Sequence, residues 1–275
     1  MSQATFTQAS DLPQANASAL VDRAALERQV QDVYRGVARD PFAPRHFETG
    51  RTLLVHLGYP ETLLAGIPDS ALASFAGVGY HIDLADLRPG DRVLDLGSGS
   101  GTDVFCAAAL VGDTGHVVGV DFTDAQITAA TAAAERSGIT NVQFVEAGID
   151  DLPFEDDSFD VVISNGVINL SPVKHRVFAE AARVLRPGGR LAISDIVSAT
   201  ALKESTRRNT ELWAACIAGA IPSPAYLDAL SEAGFAITAE RPNHYRFISD
   251  RALEASRTYG VESTSVAATR TEGGY

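Results

Sequence analysis

Hydrophobic and polar positions divide the chain into two parts. Apolar side chains recur at helical spacing over residues 20–37, which predicts an amphipathic helix near the start of the sequence. From Arg92 onward, short apolar runs alternate with helical stretches. That alternation is typical of a parallel sheet with helices on both faces. We therefore expect an α/β fold with a mostly parallel sheet, preceded by an N-terminal helical cap.

Turn-forming residues set the limits of these elements. Thr123 is a candidate N-cap, and Pro187, Gly188 and Gly189 predict a turn before the fifth strand. We expect a flexible tail from about Val261 onward. The strands are expected at Arg92–Leu96, 116–120, Val142–Glu146, 159–164 and 190–197, and the helices between them at Thr102–Val111, Asp124–Ser137 and Lys174–Val184.

A glycine-rich turn follows the first strand. Its sequence is Val93-Leu-Asp-Leu-Gly97-Ser-Gly99-Ser-Gly101-Thr-Asp103. Glycines at such a turn let backbone amides approach a ligand closely. The spacing differs from the dinucleotide fingerprint, because Thr102 stands where that motif has its third glycine. Asp95 precedes the turn, and its carboxylate suits a ligand with an ammonium group, such as S-adenosylmethionine (SAM).

The next three strands place further candidate ligand groups at the same edge of the sheet. An acidic residue about 20 positions after the glycine turn can accept hydrogen bonds from ribose hydroxyls, and an aromatic residue after it can pack on adenine. Backbone groups and a carboxylate after the third strand can meet the edge of the adenine. The residues concerned are Asp121 and Phe122 after the second strand, Gly148, Ile149 and Asp150 after the third, and Asn165 after the fourth.

These strand ends resemble those of class I SAM-dependent methyltransferases, over about residues 88–200. The run Arg183-Val-Leu-Arg-Pro-Gly-Gly-Arg-Leu is also typical of that group. The resemblance implies a Rossmann-like fold, SAM as cofactor and S-adenosylhomocysteine as product. It places the methionine part of SAM on the glycine turn and its ribose on Asp121. The contacts expected in the turn are Asp95, Gly97, Ser98, Gly99, Gly101, Thr102 and Asp103.

A second set of segments, between about Leu57 and Phe235, resembles the arsenite methyltransferases more narrowly. These segments are Ser164-Asn-Gly-Val-Ile-Asn-Leu-Ser-Pro172, Ile193-Ser-Asp-Ile-Val197, Glu211-Leu-Trp-Ala-Ala-Cys216-Ile-Ala-Gly-Ala220, Pro222-x-x-x-Tyr226-Leu and Ala233-Gly-Phe235.

The arsenite family binds trivalent arsenic through three cysteine thiolates. Cys216 matches one of these positions, whereas Gly166 stands where the family has its loop cysteine, and residues 35–81 contain none. Cys106 is expected to be a buried structural thiol. Because one thiolate cannot form a trigonal arsenic site, we expect inefficient arsenite methylation. Cys216 then either packs in the pocket wall or contacts the substrate.

The methyl acceptor is not identified by these motifs. His46 is a candidate general base and Cys216 a candidate substrate contact, while a structural role is the alternative for His46 and His81. Gly77 and Gly79 are expected to serve a turn. The candidate substrate pocket comprises Tyr80, His81, Gly166, Asn169 and Tyr226, and no metal ligands are predicted.

Composition narrows the classes of partner. The formal net charge is −13, which argues against nucleic acid or an anionic membrane as the main partner. No run of about 18 apolar residues predicts a membrane span, and the first residues do not resemble a secretory signal. With two cysteines and no disulfide framework, a reducing cytoplasm fits best.

Together these patterns predict a methyltransferase with a small-molecule acceptor, organic or soft in its reacting atom. Two alternatives stay open: residual metalloid methylation by Cys216 with an exogenous thiol, and a SAM-binding regulatory protein without turnover. The expected organisation is a disordered tail at 1–18, a helical cap at 19–87, a SAM-binding catalytic domain at 88–248, and a C-terminal helix with a flexible tail at 249–275.

Overall fold

The computed structural model describes residues 22–43, 47–209, 212–213 and 216–272. The expected tail at 1–18 and the candidate base His46 lie outside these residues. The described chain forms a seven-stranded sheet in the order β3-β2-β1-β4-β5-β7-β6. Its strands are β1 Arg92–Leu96, β2 His116–Asp121, β3 Val142–Glu146, β4 Phe159–Asn165, β5 Leu185–Val197, β6 Phe235–Pro242 and β7 Glu262–Arg270.

Helices cover the sheet and precede it. The described helices are α1 Arg23–Arg39, α2 Arg51–Leu57, α3 Glu61–Leu64, α4 Asp69–Ser74, α5 Thr102–Val111, α6 Asp124–Ser137, α7 Lys174–Val184, α8 Glu204–Arg207, α9 Ser223–Glu232 and α10 Asp250–Tyr259. The first four correspond to the predicted cap. The fold is therefore the predicted α/β sandwich with a helical N-terminal segment.

Strands β1 to β5 are parallel, and they are buried on both faces. Val93, Leu94 and Leu96 of β1 have no measurable exposure. Apolar runs of this kind, without alternation, are what a two-sided parallel sheet requires. Since β1 lies between β2 and β4, the carboxyl ends of these three strands meet at one edge of the sheet. That edge carries the candidate site.

The prediction of a flexible tail is wrong as far as Arg270. Strand β7 is antiparallel to both β5 and β6 and lies between them. Val266 and Ala268 pack in the main hydrophobic cluster. The run Ser263-Thr-Ser-Val-Ala-Ala268 looks polar at its start, but Ser263 and Ser265 are buried through hydrogen bonds. A hydrophobicity pattern does not detect this interior strand, because its buried side chains include small hydroxyl groups that are satisfied by hydrogen bonds.

The fifth strand also begins earlier than its glycines suggest. The turn predicted at Pro187–Gly189 lies inside β5, which starts at Leu185 directly after α7. Leu185 pairs with Phe159 and Arg190 with Val161, so the register shifts between these two pairs. The extra residues form an irregularity of the strand and not a free turn.

Helix α1 packs one apolar face on the rest of the chain. Leu26, Val30 and Val37 are almost fully buried, and Asp22 caps the helix by accepting from the amide of Ala25 at 3.2 Å. No described helix is long and apolar enough to cross a membrane.

Candidate functional site

The glycine turn after β1 adopts the conformation that its glycines permit. Gly97, Gly99 and Gly101 have φ angles of 73°, 52° and 90°, which is the left-handed region. A Cβ on Gly97 would lie 2.3 Å from the side chain of Val167, and one on Gly101 2.8 Å from Phe144. A Cβ on Gly99, by contrast, would meet nothing closer than 3.9 Å. The turn therefore leaves an open backbone surface at Gly99.

Asp121 holds the glycine turn from the end of β2. One of its carboxylate oxygens accepts from the amide of Gly99 at 3.0 Å, and the other accepts from the amide of Thr123 at 2.9 Å. Burial raises the pKa of Asp121, and these backbone hydrogen bonds oppose the shift. Each oxygen keeps a further lone pair for a ligand. Thr123 is at the N-cap position of α6, but its side chain makes no capping hydrogen bond there.

Asp95 is a buried carboxyl group with no basic partner among the described residues. Burial, and then the charges of Asp103 and Asp121, raise its pKa well above the usual range. A cation placed against this group would lower that pKa and stabilise the ionised form. The ammonium of SAM is such a cation. The Ser98 hydroxyl in the turn has no hydrogen-bond partner in the part of the chain that the structure describes, and it can hydrogen-bond a ligand. Asp95, Ser98 and Asp121 thus fit the methionine and ribose parts of SAM.

Asp103 and Asn165 join the glycine turn to the cap. Asp103 accepts from the Tyr59 hydroxyl at 2.6 Å and from the Asn165 amide at 3.0 Å. The Asn165 oxygen accepts from the backbone N–H of Val78 at 2.8 Å, while its amide also donates to the carbonyl of Gly79 at 3.0 Å. Asn165 therefore fixes the segment 77–79 over the end of β4.

The glycines of that segment flank a bend at Val78 and allow close approach of neighbouring side chains. A Cβ on Gly77 would lie 2.5 Å from the Asn165 amide nitrogen, and one on Gly79 would lie 2.2 Å from the side chain of Asn243. Neither has a φ angle in the left-handed region.

Helix α1 lies across the strand ends and contacts them through polar groups. Gln31 donates to the carbonyl of Phe122 at 2.8 Å, and Arg23 pairs with Asp150 at 2.9 Å. Gln126 of α6 donates to the carbonyl of Tyr34 at 3.0 Å. The helix is thereby held against two of the segments expected to meet the cofactor.

A cavity of about 410 Å³ runs between α1 and the strand ends. The expected cofactor contacts Asp95, Gly97, Ser98, Gly99, Thr102, Asp103, Asp121, Phe122, Gly148, Ile149, Asp150 and Asn165 all line it; Gly101 belongs to the same turn but not to the lining. A second part of its wall is largely apolar and is made by Leu26, Val30, Tyr34, Phe75, Gly166, Val167, Leu170 and Pro172.

The candidate substrate residues divide differently. Gly166 lines the cavity, whereas Tyr80, His81, Asn169 and Tyr226 do not. His81 is fully buried, and burial lowers the pKa of its imidazole. Tyr226 donates to Asp195 at 2.9 Å, and the Asn169 amide donates to the carbonyl of Cys216 at 2.6 Å. These contacts give Asn169 and Tyr226 structural roles behind the wall.

Cys216 lies directly behind the cavity wall. Its sulfur is 3.9 Å from the Tyr34 hydroxyl and donates at 3.9 Å to the carbonyl of Gly166. Burial and then the charge of Asp195 raise the pKa of the thiol to about 12, so it is protonated near neutral pH. Cys106, the second cysteine, is buried in a different hydrophobic cluster, as expected for a structural thiol.

Sequence reasoning missed the residues of the site that belong to helices away from the glycine turn. Tyr34, Gln31 and Gln126 belong to no motif, although Tyr34 falls at helical spacing with the apolar positions of the helix predicted over residues 20–37. Tyr59 precedes Pro60 in a short cap segment, and nothing in its local pattern indicates a partner 44 positions away.

The fold is a Rossmann-like domain with a cavity at the carboxyl edge of its sheet. A family model described as "Methyltransferase domain" matches residues 87–252. The chain therefore belongs to the methyltransferase-domain family, and its cofactor is SAM.

The chain is also similar in sequence to individual curated proteins. The arsenite methyltransferase of Halobacterium salinarum is 42% identical over 74% of this chain and 52% of its own length. That of Rattus norvegicus is 32% identical over 72% of this chain and 56% of its own length. The chain thus spans about half the length of these curated relatives.

Solved structures agree on the fold. The arsenic(III) methyltransferase of Chlamydomonas reinhardtii has a TM-score of 0.61 and 32% identity, covering 84% of this chain and 75% of that one. The geranyl diphosphate C-methyltransferase of Streptomyces coelicolor, solved with S-adenosylhomocysteine, has a TM-score of 0.63 at 17% identity, covering 90% of this chain and 98% of that one. The latter likeness concerns the fold alone.

Proposed function

We propose that this protein transfers the methyl group of SAM to a small-molecule acceptor bound between α1 and the loop after β4. The main support for this proposal is the continuous cavity, which extends from the carboxyl groups at the strand ends to the apolar wall at Leu26, Val30 and Leu170. A sealed cofactor site would favour a SAM-binding protein without turnover. An open continuation beside the cofactor favours an enzyme with a second substrate.

The proposed methyl transfer depends mainly on how the acceptor is positioned relative to the methyl group of SAM. SAM supplies a methyl group that its sulfonium already activates. The chain must hold the acceptor in line with the bond to be broken, at about 3–3.5 Å, and exclude water. Residues 77–79, fixed by Asn165, and helix α1, fixed by Gln31 and Gln126, would provide that enclosure.

A second candidate acceptor is trivalent arsenic. The names of the relatives and the place of Cys216 beside the cavity favour it. We expect this reaction to be slow, because a single protonated thiol is a poor ligand for a centre that prefers several thiolates. An organic or soft heteroatom acceptor is our leading proposal.

Turnover with labelled SAM distinguishes these possibilities. The full chain would be incubated with a set of small acceptors and, separately, with arsenite and glutathione, and methylated products identified by mass spectrometry. An organic product in excess of methylarsenicals supports the leading proposal. Efficient formation of methylarsenicals would replace it with the second candidate. Binding of SAM without methylation of any acceptor in the set would support the protein without turnover.

A further inference from the structure

The acceptor half of the cavity has a defined chemical character. Its walls are apolar on two sides: Leu26 and Val30 of α1 face the cavity from one side, and Leu170 and Pro172 from the other. Leu26, Val30 and Leu170 belong to one hydrophobic cluster, which also contains Trp213 and Cys216. An apolar chamber of this kind gains free energy by burying apolar surface of a ligand and disfavours a charged group without a partner.

The charges around the cavity oppose an anionic ligand. Acidic side chains line it at Glu27, Asp95, Asp103, Asp121, Asp150 and Asp151. Arg23 is the one basic residue among the described lining residues, and it already pairs with Glu27 and Asp150. A carboxylate or phosphate on the acceptor would therefore enter a field of like charge.

One polar group in this chamber has only a weak partner among the described residues. The Tyr34 hydroxyl lies 3.9 Å from the sulfur of Cys216. That sulfur donates its own proton toward the carbonyl of Gly166, and thiol sulfur is a weak acceptor. Two buried tyrosines have closer partners: Tyr59 donates to Asp103 at 2.6 Å and Tyr226 to Asp195 at 2.9 Å. Tyr34 alone of these three lines the cavity.

One contact of its ring and one of its backbone hold Tyr34 in place. It stacks on Phe47 with ring centroids 6.1 Å apart, and its backbone carbonyl accepts from Gln126. A hydroxyl on a fixed ring can orient a ligand at little entropic cost, since no side chain has to be ordered on binding.

From this geometry we infer that the acceptor is a compact, uncharged and mainly apolar molecule, and that the Tyr34 hydroxyl orients it through one hydrogen bond. Tyr34 is thus a specificity-determining residue. This inference rests on the proposed function and adds the class of the acceptor. Methyl transfer leaves the atoms of Tyr34 unchanged. The carbon–sulfur bond of the SAM sulfonium breaks to give a neutral thioether, the methyl group bonds to the acceptor atom, and the acceptor takes the positive charge, which it loses with any proton on that atom to solvent.

Calorimetry on the full chain saturated with S-adenosylhomocysteine tests the inference. The two probes have the same aromatic frame: 4-methylphenol, which is neutral, and 4-methylbenzoate, which is an anion. We expect saturable 1:1 binding of 4-methylphenol, and binding of 4-methylbenzoate at least tenfold weaker. Equal or tighter binding of the anion, or no saturable binding of 4-methylphenol, would overturn the proposed class.

Variants test the role of Tyr34. Tyr34→Phe should weaken 4-methylphenol binding by about threefold to tenfold, the size of one net hydrogen bond, and leave the affinity for S-adenosylhomocysteine within twofold. Tyr259→Phe is the matched control, because this tyrosine is outside the cavity lining and should change neither affinity. Val30→Thr is nearly isosteric and keeps the Tyr34 hydroxyl, but it makes the apolar wall more polar. It should therefore also weaken the binding of 4-methylphenol. Unchanged probe binding in Tyr34→Phe would overturn the orienting role.

The two levels of proposal fail separately. Efficient turnover of an anionic acceptor would retain the proposed methyl transfer and overturn the inference on acceptor class. Binding of 4-methylphenol that depends on Tyr34, without methylation of any acceptor by SAM, would overturn the proposed methyl transfer and retain the inferred class of ligand.

Discussion

At the scale of single residues, buried carboxyl groups distinguish the part of the cavity that we propose for the cofactor. Asp95 and Asp121 end neighbouring parallel strands, and both have pKa values raised by burial. A buried acid with a raised pKa is costly to ionise unless a ligand compensates for it. The ammonium and hydroxyl groups of SAM would provide this compensation.

Replacing Asp95 by Asn should weaken S-adenosylhomocysteine binding by about tenfold to a hundredfold. The reason is the loss of a charge-assisted contact, worth about 1.5–3 kcal/mol. Isothermal titration calorimetry of the purified variant measures this change. Asp113→Asn is the control, because Asp113 is exposed in a turn away from the site and should bind like the parent protein. An affinity for Asp95→Asn within twofold of the parent would contradict the assignment.

Asp195 is a further buried acid, outside the cavity lining. Burial raises its pKa to about 6 from an ordinary value of 3.8, while its backbone and Tyr226 contacts and the charge of Lys174 partly oppose this. The folded state then binds more protons than the unfolded state between these two pH values. The stability contribution of Asp195 is therefore fully present below about pH 4 and is lost as the pH rises through 6.

Urea unfolding of Asp195→Asn between pH 4 and pH 7 tests that sign. The parent should lose stability relative to the variant as the pH rises, by up to about 3 kcal/mol over the interval. Tyr226→Phe removes the hydroxyl partner and keeps the acid, so its pH dependence should keep the sign of the parent's. A free-energy difference between parent and Asn variant that is constant with pH would show that Asp195 does not titrate in this range.

The cap and helix α1 carry the next level of organisation, that of elements. Segment 77–79 is bound through its backbone to Asn165, and the absence of side chains at Gly77 and Gly79 allows this approach. The strongest local constraint on the cap is therefore steric.

Gly77→Ala should lower the free energy of unfolding by about 1–3 kcal/mol and weaken S-adenosylhomocysteine binding. Its Cβ would lie 2.5 Å from both the Asn165 amide and the Phe75 ring, which forces the segment away from β4. Thermal unfolding with and without S-adenosylhomocysteine measures both effects. Gly66→Ala is the control, since a Cβ there meets nothing within 4 Å. Equal melting temperatures for the two variants would show that the segment tolerates a displacement.

The sequence predicted the parallel part of the fold well. Strands β1 to β4 and helices α5 to α7 lie within a residue of their expected limits, because apolar runs and glycine turns report local structure directly. Residues of the glycine turn, Asp121 and Asp150 line one cavity, as their positions at neighbouring strand ends lead one to expect, while their contacts with the cofactor stay a prediction.

The parts that could not be predicted depend on contacts distant in sequence. Strand β7 is buried through serine and threonine hydrogen bonds that no hydrophobicity pattern records. Tyr226 and Asn169 both belong to segments that resemble the arsenite family, yet neither lines the cavity. Tyr226 donates to Asp195, and Asn169 donates to the carbonyl of Cys216 behind the cavity wall. Their role depends on where the chain packs and not on the motif that contains them.

At the scale of the whole molecule, β7 joins β6 to the rest of the seven-stranded sheet. The strand pairs with β5 over eight residues and with β6 over seven, and it contributes Val266 and Ala268 to the main core. A chain ending at Gly260 should therefore lose its cooperative unfolding transition, because β5 and β6 would each expose an unpaired edge. Circular dichroism and gel filtration measure the result. A monomeric product that melts like the parent would contradict the central place of this strand.

The insertion of β7 between two earlier strands has a consequence for synthesis on the ribosome. Strands β5 and β6 leave the exit tunnel before their common neighbour has been translated, so neither can complete its pairing as it emerges. The nascent chain must keep both edges available until residue 270 has been released. During that interval the exposed edges are prone to pair with other chains. We therefore expect the yield of folded protein to depend on chaperones and growth temperature more than its final stability would suggest.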